Sequence, residues 1–261
     1  MHNDSPTPKW EHFEPNLILG AHVLCYDEID STMDIAWMWA DHGAPHGVAV
    51  RASAQRAGRG RFSRRWVSGP DESLLLSLVL RNPPVAVDAP IAVAATLAIA
   101  DTVTAITSVE CGIKWPNDVQ VGGKKIAGVL VETRVSNPRD STSVLGIGLN
   151  VNLDPRSNPQ LQDLATSIAN ITGKPSKLNM VQSSLLKSLD SAFNEMQVNP
   201  SSLMDRWRSS LSTIGQEITI HERNRTLTGV AIDVDHNGYL LLRTRDNLVH
   251  VLAEGDVTLR G

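Results

Sequence analysis

After Ile214 the apolar pattern of the chain changes period. The final stretch reads EITIHE, RTLTGVAIDVD, YLLLRT, LVHVLA and DVTLR, five strand-length runs separated by turn residues, most plainly DHNG at residues 235–238. No earlier stretch packs short strands so densely. The pattern predicts a small antiparallel β-barrel of about 45 residues, close to the lower limit for folding alone. Such a unit is expected as an appendix to a larger domain. The predicted organisation is a flexible polar arm over residues 1–19, a main domain over 20–213 and the barrel over 214–261.

The main domain mixes periods. HVLCYDEID and HGVAVRASA read as strands, and SLLLSLVL has the continuous apolar character of a central strand. Between the first two, STMDIAWMWADHG reads as a helix opened by Ser31 or Thr32, with Asp34 in its first turn and Gly43 as its stop. Residues 88–108 form a long alanine-rich helical run. Strand character returns on both sides of Gly122-Gly123, a two-glycine hairpin turn. Pro116 bars a regular strand through WPND, so Asn117 and Asp118 are expected on a bend. STSVLGIGLNVNL reads as a strand broken by Gly146 and Gly148. Three helical patterns follow, in DLATSIANITG, LNMVQSSLLKSLDSAFNEMQ and SLMDRWRSSLS.

Charge and composition exclude several classes of function. The formal net charge is −4, which argues against a general nucleic-acid binder, because counterion release rewards a basic surface. Cys25 and Cys111 give no disulfide framework and no metal-ligand spacing, so a reduced, cytoplasmic setting is expected. The polar N-terminus has no signal-peptide core. The most apolar segment, residues 85–106, carries Asp88, Pro90 and Asp101, so it reads as a packed helix and not a membrane span. The eight histidines form no ligand pair, so no protein-ligated metal is expected.

Against that background residues 58–66, GRGRFSRRW, are conspicuous: four arginines in nine residues, with no acid among them. Gly58 and Gly60 would let the backbone turn tightly and expose N–H groups. Arg59, Arg61 and Arg64 offer forked donors for phosphate or carboxylate, and Trp66 offers a flat face. A loop folding over a phosphorylated ligand fits these residues; so does a solvated basic loop. Asn117 and Asp118 could hold a nucleotide or an amine, or simply make a turn. Lys125 could neutralise an anion or guard an edge strand. The glycines of GIGLN, residues 146–150, would allow close approach of a ligand, with Asn150 placed to read a base edge.

Taken in this order, STMD, QRAGRGRFSRRW, KWPNDV, GKKIAGVLVE and GIGLNVN resemble the biotin protein ligases, over about residues 26–152 and again in the terminal barrel. The resemblance implies an α+β fold: a mixed β-sheet flanked by helices, of the class II aminoacyl-tRNA synthetase type, plus a Src-homology-3-type barrel. It implies ATP-dependent conversion of biotin to biotinyl-5′-AMP, then transfer to a lysine of a biotin carboxyl carrier domain. Carried over, Ser31, Thr32 and Gln55 would bind the biotin head group. Gly58, Gly128, Gly146 and Gly148 would line its pocket. Arg59 and Arg61 would close over the biotin carboxylate and the α-phosphate, with Lys125 between these two anions. Arg64 would reach the ATP phosphates, Trp66 would pack near the nucleotide, and Asn150 would bind adenine. Asn117 and Asp118 would lie by the phosphates, Asp118 orienting the incoming lysine.

Acyl adenylation needs no protein nucleophile, only two anions held together and neutralised. Arginines, one lysine and Mg²⁺ carried mainly by ATP phosphates would serve. The sequence departs from the family loop, usually GRGRxGRxW, at Ser63, where the last glycine is expected. The pattern starts by residue 22, which leaves no room for the helix-turn-helix domain of some family members, so DNA binding is not expected. The carrier domain is the expected partner, with no nucleic acid and no membrane, the enzyme acting as monomer or homodimer. A lipoate ligase of the same superfamily and a nucleic-acid module using the arginine loop are the rival readings.

Overall fold

The structure is a computed structural model that describes residues 7–12, 15–83, 88–137, 140–221 and 225–259. Its first strand, β1 (Lys9–His12), lies inside the arm expected to be loose, and pairs antiparallel with β2 (His22–Ile29). The arm is also held further on: Leu19 is buried, and its N–H donates to Asp190 Oδ1 at 2.9 Å. Residues 1–6 of that arm lie outside the described residues.

Helix α1 (Thr32–Asp41) starts where the cap residue predicts. The Ser31 hydroxyl accepts from Met33 N–H at 3.3 Å, and Asp34 sits in the first turn. Strands β3 (Ala49–Gln55) and β4 (Ser73–Arg81) follow. β4 is the continuous apolar run, and its first eight residues are buried. The reason is its central place, with helices covering both faces of the sheet. Helix α2 (Asp88–Thr107) is long and apolar enough to cross a membrane by length and composition. In the fold its apolar residues join the main core, and Trp207 donates to Thr96 Oγ1.

β5 (Gly112–Lys114), β6 (Asp118–Val121), β7 (Lys124–Asn137) and β8 (Asp140–Asn150) complete an eight-stranded sheet of order β1-β2-β3-β4-β8-β7-β6-β5. Among the described strands only β2 and β3 pair in parallel. Gly122 and Gly123 make the β6–β7 turn with φ of 57° and 77°, values that glycine alone adopts freely. β8 corrects an expectation, because it runs unbroken through Gly146 and Gly148. These glycines make room for neighbouring side chains and do not interrupt the ladder. In DLATSIANITG only α3 (Ile168–Thr172) is helical, capped by Ser167; Asp163 and Leu164 before it are in turns, and Ala165 forms a β-bridge with Lys125. Two longer helices follow, α4 (Leu178–Val198) and α5 (Pro200–Ser210).

The C-terminal unit is a five-stranded antiparallel sheet of β9 (Glu217–His221), β10 (Thr226–Val234), β11 (Leu240–Thr244), β12 (Val249–Leu252) and β13 (Asp256–Leu259), in the order β12-β11-β10-β9-β13. Its core is continuous with that of the main domain. Trp115 bolts the two together. It is 2% exposed, its indole N–H donates to Gly238 O at 2.9 Å, and its backbone N–H donates to Thr213 Oγ1 at 2.9 Å.

Candidate active site

A cleft lined by Thr32, Gln55, Trp66, Lys125 and Gly148 opens on the α1 side of the sheet. Its inner end is neutral. Thr32 donates its backbone N–H (2.7 Å) and its hydroxyl (3.0 Å) to Gln55 Oε1, and accepts from Ser77 Oγ at 2.8 Å. Ser31 caps α1 beside them. The helix start, the end of β3 and the middle of β4 thus fix a small polar cup.

The cleft walls are built from missing side chains. Gly128 and Gly148 face each other across β7 and β8. A Cβ on Gly148 would lie 2.6 Å from the Trp66 ring, and one on Gly146 would lie 2.6 Å from Met33 Sδ. Trp66 therefore lies flat on the glycine gap, with Lys125 Nζ 5.6 Å from its ring centre. Trp66 Nε1 is buried without a hydrogen-bond partner. An orphaned donor in a cleft wall fits a ligand that brings an acceptor.

The outer end is charged. Lys125 pairs with Asp118 at 2.6 Å. β7 is an interior strand between β6 and β8, so Lys125 is no edge guard. Arg61 Nη1 lies 3.4 Å from both Asn117 Oδ1 and Gly255 O, and burial lowers the Arg61 pKa, against the opposing pull of Glu254 and Asp118. Asn117 is locked in turn, its Nδ2 donating to Val129 O at 2.7 Å. Arg64 pairs with Asp256 of the barrel. Lys114, which sequence reasoning left out although it begins KWPND, belongs to this end too. Burial depresses its pKa, Asp118 pulls it back up, and Lys125 and Arg64 lower it further.

The arginine loop is a small ordered hairpin, not an open loop. Trp66 N–H donates to Gly58 O (3.0 Å) and Gly60 N–H to Arg64 O (2.8 Å), and Arg59 bridges Arg65. The left-handed residue is Phe62, with φ 54°, whereas neither Gly58 nor Gly60 has positive φ. Gly58 is needed for closeness, since a Cβ there would meet Gln55 Nε2 at 2.8 Å and Trp66 O at 2.9 Å.

Two candidates stand apart from the rest. Asn150 is buried with both ends of its amide engaged, accepting from Ser73 Oγ (3.2 Å) and donating to Thr166 O (3.0 Å). Arg59 reaches the cleft wall, but its guanidinium is turned to Asp34 (2.9 Å) and Glu132 (3.5 Å). Those two acids were not among the sequence candidates. Asp34 was visible only as a first-turn acid, and Glu132 as one residue of a strand. Among the described residues, no group of three or more His, Cys, Asp or Glu is placed to hold a metal.

Residues 26–152 match the Biotin/lipoate A/B protein ligase family, and residues 213–260 match the Biotin protein ligase C terminal domain. The bifunctional ligase/repressor BirA of Bacillus subtilis is 31% identical over 236 residues, which are 88% of this chain and 72% of that protein. The biotin–[acetyl-CoA-carboxylase] ligase of Mycobacterium tuberculosis is 34% identical over 218 residues, 81% of this chain and 78% of that one. The solved biotin protein ligase from Aquifex aeolicus in complex with biotin and ATP superposes with a TM-score of 0.78 at 27% identity, covering 91% of this chain and 98% of that one.

Proposed function

The chain belongs to the biotin protein ligase family, and we propose that its cleft joins biotin to ATP and then hands the biotinyl group to a carrier lysine. The activity is ATP-dependent protein biotinylation, with biotin and ATP as substrates. One observation carries the assignment of its residues: five separated motifs converge on a single cleft that is neutral at one end and cationic at the other.

Ser31, Thr32 and Gln55 receive the uncharged head group, and Gly128, Gly146 and Gly148 leave the width it needs. Lys125 and Arg61 bring the biotin carboxylate and the α-phosphate together and neutralise them. A carboxylate oxygen attacks the α-phosphorus and pyrophosphate leaves. Arg64 and Lys114 face the departing phosphates. Mg²⁺ accompanies ATP and supplies further neutralisation of phosphate charge. Asp118, released from Lys125 as phosphate takes its place, accepts the proton of the carrier lysine. That amine attacks the acyl carbon, the acyl–phosphate C–O bond breaks, and AMP departs. Asn150 supports the wall beneath the nucleotide through Ser73 and Thr166. The enzyme acts in the cytoplasm on the carrier domain of a biotin-dependent carboxylase. Its net charge of −4 gives no general affinity for nucleic acid.

The test is transfer of radiolabelled biotin to a purified carrier domain with Mg·ATP and excess lipoate as competitor. Label on the carrier lysine, unaffected by lipoate, is the expected result. Lys125→Ala should slow adenylate formation by about 10²–10³-fold, the scale of losing one preorganised charge partner of a transition state. Label displaced by lipoate would move the assignment to the sister activity.

A further inference from the structure

Arg59 stands on a built acidic seat. Glu132 Oε2 accepts from the Trp37 indole N–H at 2.8 Å, which leaves Oε1 facing Arg59. Trp37 is buried beneath this contact and is covered by Arg134, whose guanidinium lies 3.8 Å from its ring centre and whose Nη1 reaches Asp41 at 3.3 Å. Asp34 completes the seat from the first turn of α1, the same turn whose start holds Thr32 against Gln55. Glu132 and Asp34 are therefore placed before the loop arrives. Arg59 is the first arginine of the hairpin, and Trp66, at its far end, is bonded back to Gly58. Fastening Arg59 fixes the arm that carries Arg61 over the cleft.

We infer that Asp34 and Glu132 are positioning residues: they latch the arginine hairpin shut through Arg59 and so set how long a bound acyl-adenylate is retained. The inference rests on the ligase reading. It gives Arg59 a task different from that of Arg61 and Lys125, which meet the anions themselves. The side chains of Arg59, Asp34 and Glu132 are 40%, 52% and 37% exposed, so salt screens the latch. Two partly exposed pairs imply a retention effect of about threefold to tenfold and not an all-or-none loss.

The experiment compares wild type with Asp34→Asn/Glu132→Gln, in which the amide oxygen introduced by the second substitution still accepts from Trp37. The first measurement is tryptic nicking within residues 59–65 of the ligand-free protein. The second is loss of radiolabelled biotinyl-5′-AMP to free amines at rising NaCl, with thermal melting as a check on folding. The expected results are faster nicking and faster loss in the variant. Loss from wild type should accelerate with salt, and loss from the variant should not. Arg59→Gln, which removes one tryptic site, should match the double variant in nicking after Arg61, Arg64 and Arg65 and in adenylate loss, and combining all three should add nothing further. If the acid variant folds less well, Arg59→Gln alone is compared with wild type by the same salt series. Nicking and retention equal to wild type would overturn the latch. So would an Arg59→Gln protein that no longer forms adenylate while the acid variant retains it normally, because Arg59 would then be meeting the substrate. If even wild type forms no adenylate, the ligase reading fails, and the nicking comparison still decides whether the latch exists.

Discussion

The two ends of the cleft are held by different forces. At the inner end, Thr32, Gln55 and Ser77 satisfy one another through short neutral hydrogen bonds between the start of α1 and two neighbouring strands, β3 and β4. At the outer end, Lys125, Arg61 and Arg64 rest on Asp118, Asn117 and Asp256. Of the two residues expected on a bend only Asn117 lies in the turn, because Asp118 pairs with Lys114 and Gly128 as the first residue of β6, and Asp256 comes from the barrel. A neutral cup formed before binding needs little rearrangement to receive an uncharged ring. A cation already paired with a protein carboxylate must exchange that partner for a phosphate. The inner end therefore selects by shape and hydrogen bonding. On the proposed mechanism the outer end couples binding to displacement of acids, one of which, Asp118, is then available for the second reaction.

Substitutions can separate these behaviours. The largest effect is expected at the outer end: Asp118→Asn should slow transfer from preformed biotinyl-5′-AMP by about 10²-fold, the low end of what general-base removal costs. Single-turnover transfer to the carrier domain measures it, and an unchanged rate would remove Asp118 from the proton transfer. At the wall, Gly148→Val places carbon where the Trp66 ring lies, and should raise the half-saturating biotin concentration by about tenfold through lost packing. Gly146→Ala should do less, because the methionine it meets can swing away. Equal effects from the two would mean the ring is not held against the glycine gap. The smallest change is expected in the inner cup. Gln55→Ala leaves the Thr32 donors without their acceptor and should weaken biotin binding by about threefold to tenfold, with ATP half-saturation unchanged, as for one lost hydrogen bond. Calorimetric titration with each substrate separates the two.

Much of this could be read from local pattern. Ser31 as a helix cap, the glycine turn at 122–123, the buried run of β4 and the barrel strands each follow from a few adjacent residues. What could not be read depends on partners remote in sequence. The orientation of Arg59 is decided by Asp34 and Glu132, which come from a helix and a strand on either side of it in the chain. Asn150 looks like a ligand contact on its own, and its sequence neighbours do not reveal that Ser73 and Thr166 already take one lone pair and one N–H of its amide. Gly146 and Gly148 looked like breaks because a glycine in a strand signals an absent side chain without saying which neighbour fills the space. Phe62, not a glycine, takes the left-handed conformation because the hairpin closes around it.

The bolt at Trp115 bears on how the chain is made. Its indole finds its acceptor 123 residues downstream, and Arg61 finds Gly255 194 residues downstream. During synthesis the main domain emerges first, with the turn that presents Asn117 still lacking its support and the arginine hairpin lacking one of its flanks. The catalytic mouth is completed only when the last strands leave the ribosome and dock. A message truncated near its end thus yields a chain with every residue that lines the cleft present and the mouth of that cleft unfinished.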